Sequence, residues 1–332
     1  MTTNHTKGAS EVRRRPRSIL VTGADGFVGR HLCPRLAQRH PAVAIVALRR
    51  QGPGAATPRR RAFEADIGDA GAVREAVRGA RPDLVIHLAA QASAGEAADA
   101  QAATWRTNVE GTRNLAAAVA ELGRPCDFIF ASSGEVYGLS LNEGPARETT
   151  PLAPLGVYAR SKAEAEAALA GALAGSQARA IVCRAFNHTG PGQDERFVVP
   201  RLAAQVARIE KGLQRPVVRA GDLSVRRDFL DVRDVVEAYL DLADAAPRLP
   251  ALSTFNIASG RAVELIEVVQ LLQKWSRRPF ELEIDRALLR PADVQSAVGD
   301  AGALRAATGW RPRRRFAATV RATLEYFRKR ER

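Results

Sequence analysis

From Ser18 onward the chain alternates short, wholly apolar runs with stretches in which apolar residues recur every third or fourth position. Ser18-Ile19-Leu20-Val21-Thr22 is an apolar strand bounded by glycine, and Phe27, Val28, His31, Leu32 and Leu36 after it have helical spacing. The same reading predicts strands at 43–48, 83–88, 127–131 and 178–184, with helices near 70–79, 104–122 and 158–174. A Gly/Pro-rich loop falls at 51–58. Strands that are apolar throughout, separated by helices of this length, imply a parallel sheet covered on both faces. The fold class expected is therefore α/β, a Rossmann-type doubly wound parallel sheet.

After about Asn187 the rhythm breaks. Helices at 197–211, 231–243, 263–275 and 316–329 and a short strand near 216–219 suggest a smaller C-terminal α/β lobe. Such a lobe would lie across the carboxyl ends of the strands, where open α/β sheets bind ligands. The division expected is a polar, basic and disordered leader at 1–16, a dinucleotide-binding domain at 17–186, and a substrate lobe at 187–332 from which some chain returns to the first domain.

Composition narrows this picture little. The 332 residues carry a net charge of +14, yet only five of the 50 basic residues are lysine, so the excess reads as a general arginine bias. Basic clusters at 13–17, 59–61 and 311–315 lack interleaved aromatic platforms, which argues against nucleic acid as a partner. The absence of a long apolar run argues against a membrane, and a cytoplasmic location is expected. Cys33, Cys126 and Cys183 are widely spaced, with no metal-ligand pattern, and read as reduced core residues; no metal is expected.

Candidate chemistry begins at Thr22-Gly23-Ala24-Asp25-Gly26-Phe27-Val28-Gly29. Glycines between a first strand and a first helix permit a tight turn and bring a pyrophosphate to the positive helix end. The spacing is GxxGxxG. At the end of the second strand, where an acid on the ribose 2′-hydroxyl would mark NAD, the chain has Arg49-Arg50. Two guanidiniums favour a 2′-phosphate, so NADP(H) is the cofactor expected, with NAD(H) as the alternative. Asp66 and Ile67 are candidates to bracket the adenine, and Leu88, Ala89 and Ala90 supply small residues beside the phosphates.

Tyr158 and Lys162 stand four residues apart, on one face of a helix. A cation beside a phenol lowers its pKa and allows proton exchange with a sugar hydroxyl or carbonyl. Upstream, Ser132-Ser133-Gly134-Glu135-Val136-Tyr137-Gly138 follows a buried strand. With TGADGFVG, HLAAQ, Asn108-Val109-Glu110-Gly111-Thr112 and YARSK, the chain from 18 to 327 resembles the extended short-chain dehydrogenase/reductase family, which acts on nucleotide-linked sugars. The resemblance implies that Ser133 bonds the reacting oxygen, Tyr158 is the acid/base, Lys162 holds the nicotinamide ribose and tunes the tyrosine, and Asn108 lies near the active site. It also implies a homodimer formed by the helices carrying Asn108 and Tyr158.

The downstream segments Phe186-Asn187-His188-Thr189-Gly190-Pro191-Gly192-Gln193, Gly221–Phe229 and Arg290-Pro291-Ala292-Asp293-Val294 look like those of the branch that uses GDP-linked mannose derivatives. By that resemblance Asn187, Arg227, Arg290 and Asp293 contact the nucleotide sugar. The activity it implies is NADPH-dependent reduction of the 4-keto group of GDP-4-dehydro-6-deoxy-D-mannose. One departure bears on the alternatives. Sugar 4,6-dehydratases of the family place threonine, a variable and often acidic residue, and a glutamate base where this chain has Ser133-Gly134-Glu135. Glycine cannot protonate a leaving hydroxyl, which weakens dehydration without removing Glu135 as a base. A 4,6-dehydratase and a 4-epimerase remain the rival enzymes. A non-catalytic dinucleotide or nucleic-acid binder is the rival of a different class.

Overall fold

The computed structural model describes residues 16–50, 60–289 and 293–331. Its first half runs β1 (Ser18–Thr22), α1 (Phe27–Arg39), β2 (Ala44–Arg49), β3 (Arg60–Glu64), α2 (Ala70–Ala80), β4 (Leu84–His87), α3 (Ala94–Asp99), α4 (Gln101–Trp105), α5 (Gly111–Ala120), β5 (Asp127–Ser133), α6 (Gly156–Leu173) and β6 (Arg179–Ala185). The second half runs β7 (Asn187–Thr189), α7 (Val198–Glu210), β8 (Val217–Ala220), β9 (Arg226–Asp231), α8 (Val232–Ala245), β10 (Leu252–Ile257), β11 (Ala262–Glu264), α9 (Leu265–Trp275), β12 (Glu281–Ile284), β13 (Ser296–Ala297), α10 (Gly302–Thr308) and α11 (Phe316–Arg330).

Seven parallel strands in the order β10-β6-β5-β4-β1-β2-β3 form the main sheet, so the expected Rossmann-type α/β class is the one observed. The alternation of side chains explains why both faces are apolar. Ile19, Val21, Ile45, Ile86, Ile129 and Ile181 point to one face, beneath α1 and α8. Leu20, Val46, Val85, Phe128, Phe130 and Val182 point to the other, beneath α2, α5 and α6. The strand order reverses between β1 and β4, and the loops after both strands meet there.

Two sheet strands escape the hydrophobic pattern. β3, Arg-Arg-Ala-Phe-Glu, falls partly in the basic cluster at 59–61, yet it pairs with β2 along its length as the sheet's outer edge. Charged side chains are at home on such an edge, where they discourage pairing with another chain. β10 joins the opposite edge beside β6 from about 70 residues downstream. The helix expected at 104–122 begins at Gln101 and is interrupted by a π-helical turn at Arg106–Glu110. The loop at 51–58 and the leader, apart from its last residue, lie outside the described residues.

The rest of the second half builds its own core. α7, α9 and α11 pack with β8, β9 and β11 around Leu202, Val206, Phe229, Val268, Leu324 and Phe327. A small sheet of β11, β9, β13 and β7 carries this lobe over the main sheet's carboxyl edge. Phe186, directly after β6, packs with Val136, Tyr137 and Ala258 at the junction.

Candidate active site

A cleft of about 980 Å³ opens between the two halves, above the carboxyl ends of β1, β4, β5 and β6. Gly23, Asp25, Gly26, Phe27, Val28 and Gly29 form one wall, with Leu88, Ala90 and Arg50. Gly23 has φ +68°, and a Cβ there would meet the Ala89 amide nitrogen at 2.7 Å. Only glycine permits this turn to lie so close to the β4 loop. No side chain caps the N-terminus of α1, leaving its first-turn N–H groups and dipole facing the cleft. Arg49 pairs with Asp25 of the glycine loop at 3.0 Å, whereas Arg50 borders the cleft with no carboxylate partner among the described residues.

Ala89, Asp66, Ile67 and Asn108 do not border the cleft. Ala89 donates its amide to Thr22 Oγ1 at 3.1 Å. Asp66 accepts from the Gly68 amide at 2.8 Å and lies 3.5 Å from Arg106, while Ile67 is buried against Gly111. Asn108 sits in the π-helical turn and is 2 % exposed. Its Oδ1 accepts from the Gln91 amide at 2.8 Å, and its Nδ2 donates to the Gln91 carbonyl at 3.2 Å and to Ser161 Oγ at 2.9 Å. Ser161 in turn donates to the Tyr158 carbonyl at 2.8 Å. Asn108 thus staples the loop after β4 to the helix that carries Tyr158.

A buried chain of hydrogen bonds runs below this staple. Thr112 Oγ1 donates to the Asn108 carbonyl at 2.6 Å, so it accepts from His87 Nε2 at 3.0 Å. His87 Nδ1 is then the acceptor for Thr22 Oγ1 at 2.6 Å. Burial, helped by the charge of Lys162, pushes the His87 pKa down to about 3 and holds the ring neutral in this tautomer.

Ser133, Glu135, Tyr158 and Lys162 converge on the cleft floor. Ser133 ends β5, Tyr158 lies in the first turn of α6, and Lys162 follows one turn later. The Tyr158 hydroxyl faces Ser133, but burial first and the Glu135 carboxylate second push the phenol well above its ordinary pKa. Burial and Glu135 thus outweigh any lowering by a nearby cation. The Lys162 ammonium is committed elsewhere, donating to the Ala131 carbonyl at 2.7 Å and lying 4.8 Å from the Phe130 ring centre. Burial lowers the Lys162 pKa to about 8, opposed by Glu166. Glu166 itself is paired in a buried network: Arg184 Nη2 lies 2.7 Å and Nε 3.1 Å from its carboxylate, and Ser132 Oγ donates to it at 2.5 Å.

Glu135 stands open to the cleft but deep within it. Loss of bulk water raises its carboxyl pKa, and Arg227 opposes the rise. The pKa of Arg227 is lowered, by burial first, against the charges of Glu135 and Asp222. Between Ser133 and Glu135, a Cβ on Gly134 would meet the Phe186 ring at 2.9 Å, so the wall leaves no room for a side chain there. Asn187 and Asp293 line the second-half side with Arg227; Arg290 lies outside the described residues.

Several cleft residues escaped the sequence reading. His188 stacks on Phe27, ring centres 6.1 Å apart and planes 3° from parallel, and joins the glycine loop to the segment after β6. Tyr239 of α8 reaches the floor from beneath and is 2 % exposed. Glu96 and Arg196 meet across the mouth. His188 belongs to a polar loop already singled out; the other three have only tertiary signals.

Residues 19–258 match the NAD dependent epimerase/dehydratase family. A GDP-6-deoxy-D-mannose reductase of Pseudomonas aeruginosa is 35% identical over 308 residues, spanning 92% of this chain and 95% of its own. The solved structure of RMD from Pseudomonas aeruginosa complexed with NADPH superposes with a TM-score of 0.80 at 33% identity, covering 94% of this chain and 99% of that one. That of a putative epimerase from Burkholderia cenocepacia gives 0.82 at 35% identity, covering 96% and 100%. The family expected from the glycine loop, the serine and the tyrosine–lysine pair is thus the one found, and the chain belongs to the NAD dependent epimerase/dehydratase family.

Proposed function

We propose that the chain is an NADPH-dependent reductase of a 4-keto nucleotide sugar, with GDP-4-dehydro-6-deoxy-D-mannose as the first candidate substrate. The observation that supports this reading best is geometric: Ser133, Tyr158 and Lys162 meet on the floor of a two-sided cleft whose first wall is the glycine loop. A protonated phenol beside a keto oxygen is a proton donor, the role that reduction requires. The similarity to a GDP-6-deoxy-D-mannose reductase supports the substrate class.

The first wall fits a dinucleotide. The uncapped α1 N-terminus and the close Gly23 turn suit a pyrophosphate, and Arg50 suits a 2′-phosphate at the outer end. NADPH bound along it supplies the hydride. The chain's own residues do the rest. Ser133 holds the keto oxygen, Tyr158 delivers the proton as negative charge develops there, and Lys162, charged below about pH 8, stabilises the phenolate left behind. Asn187, Arg227 and Asp293 are the residues proposed to receive the nucleotide-linked sugar; a guanidinium forks onto phosphate oxygens. The alanine-rich outer stretch of α6 permits the close helix contact of a homodimer.

Glu135 favours a second reading. A carboxyl open to the cleft, with its pKa raised by burial, suits removal of a C5 proton in a 4,6-dehydratase. Two incubations separate them. Oxidation of NADPH only when the 4-keto sugar is added supports the reductase; formation of the 4-keto sugar from GDP-mannose without added cofactor supports the dehydratase. Tyr158→Phe is expected to bind NADPH normally and to lose most turnover. Near-normal turnover in that variant refutes the proton assignment.

A further inference from the structure

An ion pair crosses the mouth of the cleft. Glu96 comes from α3, after β4 of the main sheet, and Arg196 from the segment entering α7 in the second half. Arg196 Nη1 lies 2.7 Å from both carboxylate oxygens of Glu96, and Gln91 Nε2 donates to the same carboxylate at 2.8 Å. The arginine is held from its own side as well, with Nε 3.2 Å from Asp194 Oδ1. All four residues border the cleft.

We infer that Arg196 is an anion-binding residue of the substrate half, and that Glu96 is its exchange partner: the arginine leaves Glu96 for the diphosphate of a nucleotide sugar as that ligand enters. The inference rests on the nucleotide-sugar reading of the cleft. Three properties of the pair support it. Both side chains are about half exposed, 44% and 52%, and an exposed pair is held weakly enough to be traded. A carboxylate and a diphosphate offer the same kind of acceptor oxygens, and the diphosphate carries more charge. The second carboxylate, Asp194, keeps the guanidinium at the mouth during the exchange, because it grips Nε and leaves the outer nitrogens for the incoming anion. A fixed strap between the halves would need no such divided grip.

Exchange and strap predict opposite patterns. With the enzyme saturated in NADP⁺, the affinity for GDP is measured by calorimetry for the wild type, Glu96→Gln, Arg196→Gln and the double variant. Under exchange, Glu96→Gln frees the arginine and tightens GDP binding by about two- to fivefold. Arg196→Gln weakens it roughly tenfold or more and flattens its dependence on salt. The double variant then behaves like Arg196→Gln, because Glu96 matters only through the arginine. If both single variants move GDP affinity in the same direction, or if Arg196→Gln leaves it unchanged, the inference is overturned while the reading of the cleft stands. If the wild type binds no GDP at all, the substrate reading itself has failed and the exchange falls with it. Unchanged NADPH affinity in each variant shows that the fold is intact.

Discussion

Glu166→Gln tests how the fold sets the charge of Lys162. Glu166 lies one turn beyond Lys162 on α6 and is paired with Arg184 of β6, both side chains about 90% buried. Removing one partner of a buried ion pair costs about 3–5 kcal/mol, because the other charge is left without compensation. That is a large share of a total stability of about 5–15 kcal/mol, so the variant should fold but unfold at lower urea. The second effect is on Lys162, where Glu166 is the group that opposes burial. Charges on adjacent helical turns, roughly 6 Å apart, interact by about 3 kcal/mol at an effective dielectric of 20, equivalent to about two pH units. Glu166→Gln removes that field and leaves the Arg184 charge unopposed, so we expect the Lys162 pKa to fall from about 8 by about two units. Since the proposed mechanism needs Lys162 charged, the alkaline limb of kcat/KM for NADPH oxidation should move to lower pH by that amount. Glu166→Leu with Arg184→Met separates the two effects. Stability should recover, since an apolar pair replaces the ion pair, while the alkaline limb stays displaced. An unmoved limb in Glu166→Gln, in a variant that is measurably destabilised, refutes the link between the pair and Lys162.

Gly23→Ala should weaken NADPH binding and lower the melting temperature together: the left-handed backbone alone costs alanine about 1–2 kcal/mol, before the 2.7 Å approach to Ala89. NADPH fluorescence and a thermal melt check it, and normal values for both would sink the argument for the turn. Arg50→Ala should weaken NADPH roughly tenfold and NADH little, as expected for loss of a charge-assisted contact to a 2′-phosphate; equal weakening of the two would remove Arg50 from that role. His87 has a pKa of about 3 in the folded chain against an ordinary 6.5, so between pH 6.5 and 3 the unfolded chain takes up a proton that the folded one refuses. Its contribution to stability is complete above pH 6.5 and is lost as pH falls through that window. Urea unfolding of His87→Gln should therefore show a shallower acid decline than the wild type; an identical slope contradicts the neutral assignment.

What the sequence revealed was what local pattern controls. β1, β4, β5 and β6 are apolar on both faces because helices cover both, and that continuous run is visible residue by residue. The motifs after these strands were equally visible, since the loops at their carboxyl ends carry the glycines, Ser133 and Glu135. β3 was not, because an edge strand keeps only Ala62 and Phe63 among charged neighbours. β10 was hidden by distance along the chain: Leu-Ser-Thr-Phe-Asn-Ile becomes a sheet strand only when β6 is beside it. The site divides the same way. Spacing brought Tyr158 and Lys162 to one helix face, but the direction of the tyrosine's pKa depends on depth in the cleft and on Glu135, neither of which spacing encodes. The Glu96–Arg196 pair joins positions 100 residues apart and has no sequence signature.

The return of β10 and α8 to the main sheet makes the two halves inseparable. α8 covers the same face as α1, with Glu237 bound to Arg35 at 2.6 Å and Asp241 to Arg39 at 2.7 Å, and β10 shields the edge of β6. A fragment ending at residue 186 would bare an apolar face and an open strand edge, inviting aggregation. Swapping the second half between relatives to redirect specificity therefore cannot be done with one cut. Grafts have to be confined to the loops and small strands that overhang the cleft, leaving 232–257 native.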